Sequence, residues 1–382
     1  MKIKIFKASP FYPNYLEMLY KKNRWLPSSD FALQYSAIMK DCFGWADFWK
    51  LNLEKLGEFD VFESITNAEI LQKKWAQENS VNYTNQGWLL EIIEAQIADF
   101  KPDILFVHDF INLKPEFINR IRGKYSSIKF VIGWDGIAKN DPGLFRDYDL
   151  ILSCSKNVVQ FYKKNGFSTY LFHFGFEKSI LEKLAKKRGL FDVSFVGSIM
   201  TGGRGHNNRL KLLAEVSKKT DLNLRLSSMP SGSIFSKQQI KRLLHFKLAE
   251  YQNIRRLEKL NKGGAFGLEM YQLLADSKIV LNAHIDASEN YAGNMRLYEG
   301  TGVGACLITD WKPNMEKIFE LNREVVTYKT PAECLNKIKY LLENEHEREK
   351  IASAGQKKTL TEYSLENRIR DFSKYLLDRF NY

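Results

Sequence analysis

The chain has 382 residues, 44% hydrophobic and 27% charged, enough for two domains with full cores; this excludes a disordered tail or a disulfide-stapled miniprotein. Its 57 Lys and Arg against 45 Asp and Glu leave a net charge of +12, which favours anionic partners: phosphates, nucleotides, acidic glycans or membrane head groups. No apolar run approaches the roughly 18–20 residues of a membrane span, and the basic start MKIKIFKASPFYP carries no apolar block or cleavage site of a signal peptide.

Strands are predicted at residues 2–6 (KIKIF), 103–107 (DILFV), 129–133 (KFVIG), 149–153 (DLILS) and 168–172 (STYLF), separated by helical patterns such as 89–100 (LLEIIEAQIADF). After a basic segment, 177–188, a second series begins: strands at 192–196, 222–226, 277–282, 305–309 and 324–328, with helices at 208–218, 268–275 and 295–301. Two α/β series imply two doubly wound, Rossmann-like domains, 1–180 and 181–363, with an amphipathic helix over 364–380 reaching back to the first. Ligands of such folds sit beyond the carboxyl ends of the strands, here in the cleft between domains. Cys42, Cys154, Cys306 and Cys334 form no CxxC pair, so buried free thiols in a reducing cytoplasm are expected. Between Pro230 and Lys262, Lys237, Lys241, Arg242, Lys247, Arg255, Arg256, Lys259 and Lys262 face only Glu250 and Glu258. That stretch is either a solvated helix face or a patch for a membrane surface or an acceptor.

Chemistry concentrates in two segments. In LNAHIDASENYAGNMRLYEGTGVGACLITD (281–310) a strand ends at His284, and a helix opens near Gly293-Asn294 with Arg296 and Glu299 on one face. Its first turn suits a phosphate, Arg296 adds a charge-assisted contact, and Glu299 suits the hydroxyls of a ribose; alternatively Arg296 and Glu299 simply pair with one another. In DVSFVGSIMTGGRGHNNRLKLL (192–213) a strand runs into Gly197-Ser198 and a glycine-rich loop, with Arg204, His206 and Arg209 as cations. The loop is neither a Walker A sequence nor the GxGxxG fingerprint. Together the two segments describe a pocket with two anion-binding ends, suited to a nucleoside diphosphate.

Residues 264–360 resemble the C-terminal domain of family-1-type glycosyltransferases of the spore-maturation CgeB-like group, through GLEMYQLLADSKIVLNAH (267–284), YAGNMRLYEGTGVGACLITD (291–310), EVVTYKTPAECLNKIKYLLEN (324–344) and REKIASAGQKKTL (348–360). NAEILQKKWAQENS (67–80) and AQIADFKPDILFVHD (95–109) are similar to that group as well. The resemblance implies a GT-B fold, with a nucleotide-sugar donor on the C-terminal domain and an acceptor on the N-terminal one. It implies that Glu299 binds the donor ribose, that Gly197 and Ser198 form the donor-side loop, and that Arg204 or Arg209 meets the diphosphate. Asn294 and Arg296 fall in the family's NxRxxE element. Related retaining enzymes carry a second glutamate eight residues before the first; here that position is Tyr291, and the nearest acid is Glu289.

Such enzymes usually work without a bound metal, because helix dipoles and basic side chains neutralise the leaving diphosphate. The DxD at Asp147-Tyr148-Asp149 reads as a turn before a strand, and the six histidines show no metal-ligand spacing, so neither a metal nor another cofactor is expected. An inverting reaction needs a base, for which His108, Asp109 and Asp135 at strand ends are candidates, whereas a retaining one needs a group that positions the sugar. Tyr12 and Tyr15 either stack on an acceptor sugar or pack a turn, and His284 is a further candidate near the donor. The expected activity is transfer of a sugar to a hydroxyl of a glycan, lipid-linked sugar or protein in cell-surface polysaccharide assembly, in the cytoplasm or on the inner membrane face. The alternatives are a nucleotide-sugar epimerase and a non-catalytic nucleotide-sugar or glycan-binding protein. No nucleic-acid recognition module is present.

Overall fold

Short runs of Ile, Val, Leu and Phe, apolar on both faces, pair in parallel and are covered by the helices that connect them. The computed structural model describes residues 2–136, 141–200, 205–230, 248–288 and 290–380. The chain divides into Met1–His173 with Leu365–Tyr382, and Phe174–Ser364. Among the described residues no helix is long and apolar enough to cross a membrane.

The first unit contains β1 (Ile3–Ser9), β2 (Phe59–Ile65), β3 (Ile104–Val107), β4 (Phe130–Trp134), β5 (Leu150–Ser153) and β6 (Thr169–Leu171) in the order β2-β1-β3-β4-β5-β6, with every pair parallel. On one face Phe6, Ala8, Leu105 and Val107 pack with Ile93 and Ile97 of the helix Trp88–Phe100 and Phe117 and Ile121 of the helix Pro115–Lys124. On the other face Trp49 lies against Phe106, Phe172 and Phe372, at ring distances of 5.1, 4.7 and 5.8 Å. Phe372 belongs to the final helix, Leu365–Phe380, which packs on the helix Phe48–Glu54. Alternation along β1 sends Lys7 into this aromatic face, where its ammonium meets Glu63 Oε2 of β2 at 2.8 Å and Ser9 Oγ at 2.9 Å. β2 is absent from the sequence-based set of strands, and β1 runs on to Ser9. Both differences arise because Lys7 and Glu63 look like solvent-facing residues until they are seen paired.

The second unit contains β7 (Phe191–Gly197), β8 (Leu222–Leu226), β9 (Ser277–Leu281), β10 (Cys306–Asp310) and β11 (Val326–Tyr328) in the order β11-β10-β9-β7-β8, again parallel. Its core joins Val193, Leu224, Ile279 and Ile308 to Leu210 and Leu213 of the helix Asn207–Lys219 and Ile338 of the helix Pro331–Glu343. Gly355 lets the helix Glu345–Glu362 touch backbone: a Cβ there would lie 2.3 Å from the Glu324 carbonyl oxygen. All four cysteines are buried thiols, and burial pushes Cys154, Cys306 and Cys334 up to about 12.

In each sheet the first strand lies one in from an edge, the second forms that edge, and the third crosses to the other side of the first. The direction in which successive strands are added therefore reverses between β1 and β3 and between β7 and β9, and the carboxyl ends of strands at such a reversal are where open α/β sheets commonly take a ligand.

Candidate functional site

At the β7/β9 reversal point Arg209, on the first turn of the helix Asn207–Lys219, lies 9% exposed beneath the strand ends. Its Nη1 donates to the Ser198 carbonyl at 2.8 Å, and its Nε and Nη2 donate to the Ala283 carbonyl at 3.1 and 2.5 Å. The guanidinium stands 5.6 Å from the Phe195 ring centroid, and a Cβ at Gly197 would crowd that ring at 3.1 Å. Arg209 thus ties the ends of β7 and β9 together, and burial lowers its pKa to about 10. The N-terminus of its helix is not open: Asp286 Oδ2 accepts from Asn207 N at 2.9 Å. His206 Nδ1 accepts from Met200 N at 2.9 Å, and burial lowers His206 to about 4, so it is neutral at physiological pH.

The helix Met295–Gly302 starts at Asn294, whose side chain does not cap it. Instead Asn294 pairs with Asn282 through two amide hydrogen bonds, 2.9 and 3.3 Å, and Asn282 also donates to Thr309 Oγ1 at 3.0 Å. Asn282 follows β9 and Thr309 lies on β10, so this network holds the helix start, with Gly293 just before it, against the sheet's carboxyl edge. Arg296 Nη1 meets Glu299 Oε2 at 2.8 Å, both largely buried, and both Arg296 Nη atoms lie 3.3 Å from Met270 Sδ. The pairing left open by the sequence is therefore present.

His284 lies just beyond β9. Its backbone N and ring Nδ1 both reach Asp310 Oδ1 at the end of β10, at 2.9 and 2.7 Å, while Lys312 Nζ stands 3.4 Å from Asp310 Oδ2. Burial pushes the Asp310 carboxyl upward, but its bonds to His284, with help from Lys312, hold it at about 2. Among the described residues His284 Nε2 is buried without a hydrogen-bond partner. Asp310 and Lys312 were not identified from sequence. Their signal is the strand-end position of Asp310 in ACLITD, which points to His284 only once β9 and β10 are paired.

Three first-unit candidates already have partners in the structure. Asp109 is buried and accepts from the Thr66 hydroxyl, from Asn112 Nδ2 at 2.8 Å and from Asn112 N at 3.1 Å, which makes it the brace of a turn. Asp135 is buried and accepts from the Tyr162 hydroxyl at 2.7 Å. Tyr15 is wholly buried and stacked on Phe43 at 3.9 Å, so it offers no face to a sugar. Tyr12 is 61% exposed, and its ring lies edge-on to Phe43. His108 is half-buried between Trp45 and Trp134, and desolvation, with the Lys7 ammonium, lowers it to about 3. It is a neutral ring and a weak base. In the DxD, Asp149 is occupied by Val131 N at 2.8 Å and by Arg122 at 3.0 Å. Arg204, Glu289, Lys237, Lys241, Arg242 and Lys247 lie outside the described residues.

Residues 209–374 match the family model described as glycosyl transferase-like (Glyco_trans_1_2). Solved structures of similar fold include a glycosyltransferase from Rickettsia africae ESF-5, 12% identical over 99% of this chain and 98% of that chain, with a TM-score of 0.55. Anabaena Alr3699/HepE in complex with UDP-glucose is 13% identical over 98% and 100%, with a TM-score of 0.57. The chain has the GT-B glycosyltransferase fold. A sucrose-phosphate synthase from Thermosynechococcus elongatus shares it, 10% identical over 100% of both chains with a TM-score of 0.56. No curated protein matches.

Proposed function

We propose that this GT-B chain is a glycosyltransferase of the CgeB-like kind, which moves a sugar from a nucleoside diphosphate held by the second unit to an acceptor hydroxyl held by the first. The observation that carries this reading is a coincidence of place. The matched segment 209–374 contains Arg209, His284, Asn294, Arg296, Glu299 and Asp310, the polar cluster at the carboxyl edge of the second sheet. A carboxylate has about four acceptor sites, so Glu299 paired to Arg296 through one oxygen keeps capacity for a ribose hydroxyl, and Arg296 fixes its orientation. The first turn of the helix Met295–Gly302 and the buried charge of Arg209 stabilise the diphosphate as it leaves, without a metal ion. The acceptor is a hydroxyl of a glycan, lipid-linked sugar or protein, with exposed Tyr12 as an apolar contact for it.

A thermal-shift panel of UDP, GDP, dTDP, ADP and CMP, with magnesium or with EDTA, tests the donor site. At 100 times its dissociation constant a ligand stabilises by about 2.7 kcal/mol. One diphosphate should raise the melting temperature equally with and without magnesium, and Glu299→Ala should abolish most of the rise. No shift with any nucleotide would sink the reading. A second reading, a non-catalytic nucleotide-sugar-binding protein, is favoured by one observation: Asp109 and Asp135 are occupied and His108 is a weak base. It predicts the same thermal shift with no release of nucleoside diphosphate from the matching sugar nucleotide in the presence of acceptor glycans.

A further inference from the structure

His284 stands out because its two ring nitrogens are treated so differently. Asp310 is ionised and its side chain is 22% exposed, and it takes Nδ1 at 2.7 Å as well as the backbone N–H of the same residue, so Nδ1 carries a proton and the ring cannot turn. Nε2 is left buried with no partner among the described residues, on a side chain only 2% exposed. A buried nitrogen left unfilled is costly, and its persistence on a locked ring points to a ligand that fills it.

The surroundings say which ligand. His284 sits beyond the carboxyl end of β9, at the β7/β9 reversal, between two helix starts. On one side Ala283, the preceding residue, holds Arg209 on the first turn of the helix Asn207–Lys219, and Asp286 holds that helix's Asn207. On the other side, Asn282 holds Asn294 at the start of the helix Met295–Gly302. The start of the helix Met295–Gly302, which has no side-chain cap, and the fixed guanidinium of Arg209 favour an anion over a sugar hydroxyl. Among the described residues the charged groups around the ring are Arg209 and Lys312 against Asp310 and Asp286, which nearly cancel; His206 is neutral, and the Tyr328 hydroxyl is spent on the Asn282 carbonyl. In so balanced a field, two further negative charges decide the state of the imidazole.

We infer that His284 is a proton-linked anchor for the donor diphosphate: held at Nδ1 by Asp310, the ring takes a proton from solvent as the diphosphate binds and donates Nε2–H to a phosphate oxygen. Asp310 is then a positioning residue. The inference rests on the donor-site reading above. Because the protonated ring binds better, affinity falls as pH rises, over the interval between the ring's pKa values in the unliganded and liganded protein.

The test is isothermal titration calorimetry of the full chain between pH 5.5 and 9 with UDP-glucose, GDP-mannose and dTDP-glucose, whose doubly esterified diphosphates do not themselves titrate there. For the probe that binds, affinity should fall by up to about tenfold per pH unit on the alkaline side, and buffers of different ionisation enthalpy should reveal uptake of up to one proton. His284→Gln keeps a side-chain N–H but cannot be protonated; it should show a flat profile, no uptake, and roughly tenfold weaker binding at the acid end. Asp310→Asn should shift the falling limb to lower pH, which loss of structure alone would not do. Wild-type binding that takes up no proton, or a His284→Gln profile that keeps the wild-type slope, overturns the inference and leaves the donor site standing. Absence of binding by all three probes in the wild type overturns the donor-site reading and this inference with it. The proton count is read on the wild type and so does not depend on either variant folding.

Discussion

The two sheets share one strand order, yet their carboxyl edges are built from opposite materials. At the first, Lys7 and Glu63 neutralise each other under Trp45 and Trp49, His108 is squeezed between tryptophans, and Asp109 and Asp135 are bound to hydroxyls and amides. At the second, Arg209, Asp310, Lys312 and the Asn282–Asn294 pair form a connected polar network, and His284 Nε2 is left over. The polar groups of the first edge are paired with one another; at the second, among the described residues, His284 Nε2 has no partner. Topology offers a ligand position at both edges, but only the side chains decide which of them suits an anion.

The largest effect should come from breaking the closed edge. Lys7→Ala strips the partner from a carboxylate that burial already pushes upward, and among the described residues leaves Glu63 the Lys50 amide at 2.9 Å. Removing one partner of a buried pair costs about 3–5 kcal/mol, whereas replacing both is often close to neutral. Lys7→Met with Glu63→Gln, which preserves an acceptor for Lys50 N, should therefore recover most of the loss. Urea unfolding followed by tryptophan fluorescence is suited to this, because six of the seven tryptophans lie in the first unit. Equal destabilisation by the single and double variants would show that packing around Lys7, not charge pairing, holds this edge together.

The same contrast explains what could be read from sequence. β3, β4, β5, β7 and β10 are short apolar runs flanked by turn residues, and local pattern is enough to find them. β2 is not, because FDVFESI carries Asp60 and Glu63 and its burial depends on Lys7, which lies far away in sequence. At the second edge Arg296 and Glu299 were legible because they lie one helical turn apart. The partnership of His284 with Asp310 was not, since 26 residues separate them and only adjacent parallel strands unite them. The partners of Tyr15, Asp109 and Asp135 were hidden for a related reason: a residue type near a strand end signals chemistry equally whether its polar atoms are free or spent.

Acid should separate the edges next. An unfolded histidine binds a proton near pH 6.5, whereas His108 in the folded chain resists protonation until about 3. Between those values the unfolded state holds the extra proton, so stability falls as pH falls, by at most ~1.4 kcal/mol per pH unit from this group. His108→Asn should flatten that part of the stability profile in urea titrations at pH 7, 6, 5 and 4. His173, lowered to about 4 by burial and by Arg368, supplies a smaller decline that the variant retains. A variant that follows the wild-type slope throughout would mean that His108 is protonated in the folded chain and that the first edge is wetter than its tryptophans suggest.

The smallest effect is the most pointed, because it should carry opposite signs in stability and binding. Asp286 Oδ2 occupies the amide of Asn207 at the N-terminus of the helix that carries Arg209. Loss of such a carboxylate from a helix start costs about 0.5–2 kcal/mol. The same change removes a negative charge from beside the proposed anion site and releases the Asn207 N–H from Asp286. Asp286→Ala should thus lower the melting temperature by a few degrees while leaving nucleotide affinity unchanged or raising it a few-fold, measured by titration at fixed pH and salt. A proportional fall in both would reveal a different role: through its own N–H on the Gly205 carbonyl, Asp286 would then be holding the Gly205–Asn207 turn in the only shape that admits ligand. In that case the second edge, like the first, would be held shut by its own contacts until a ligand exchanged with one of them.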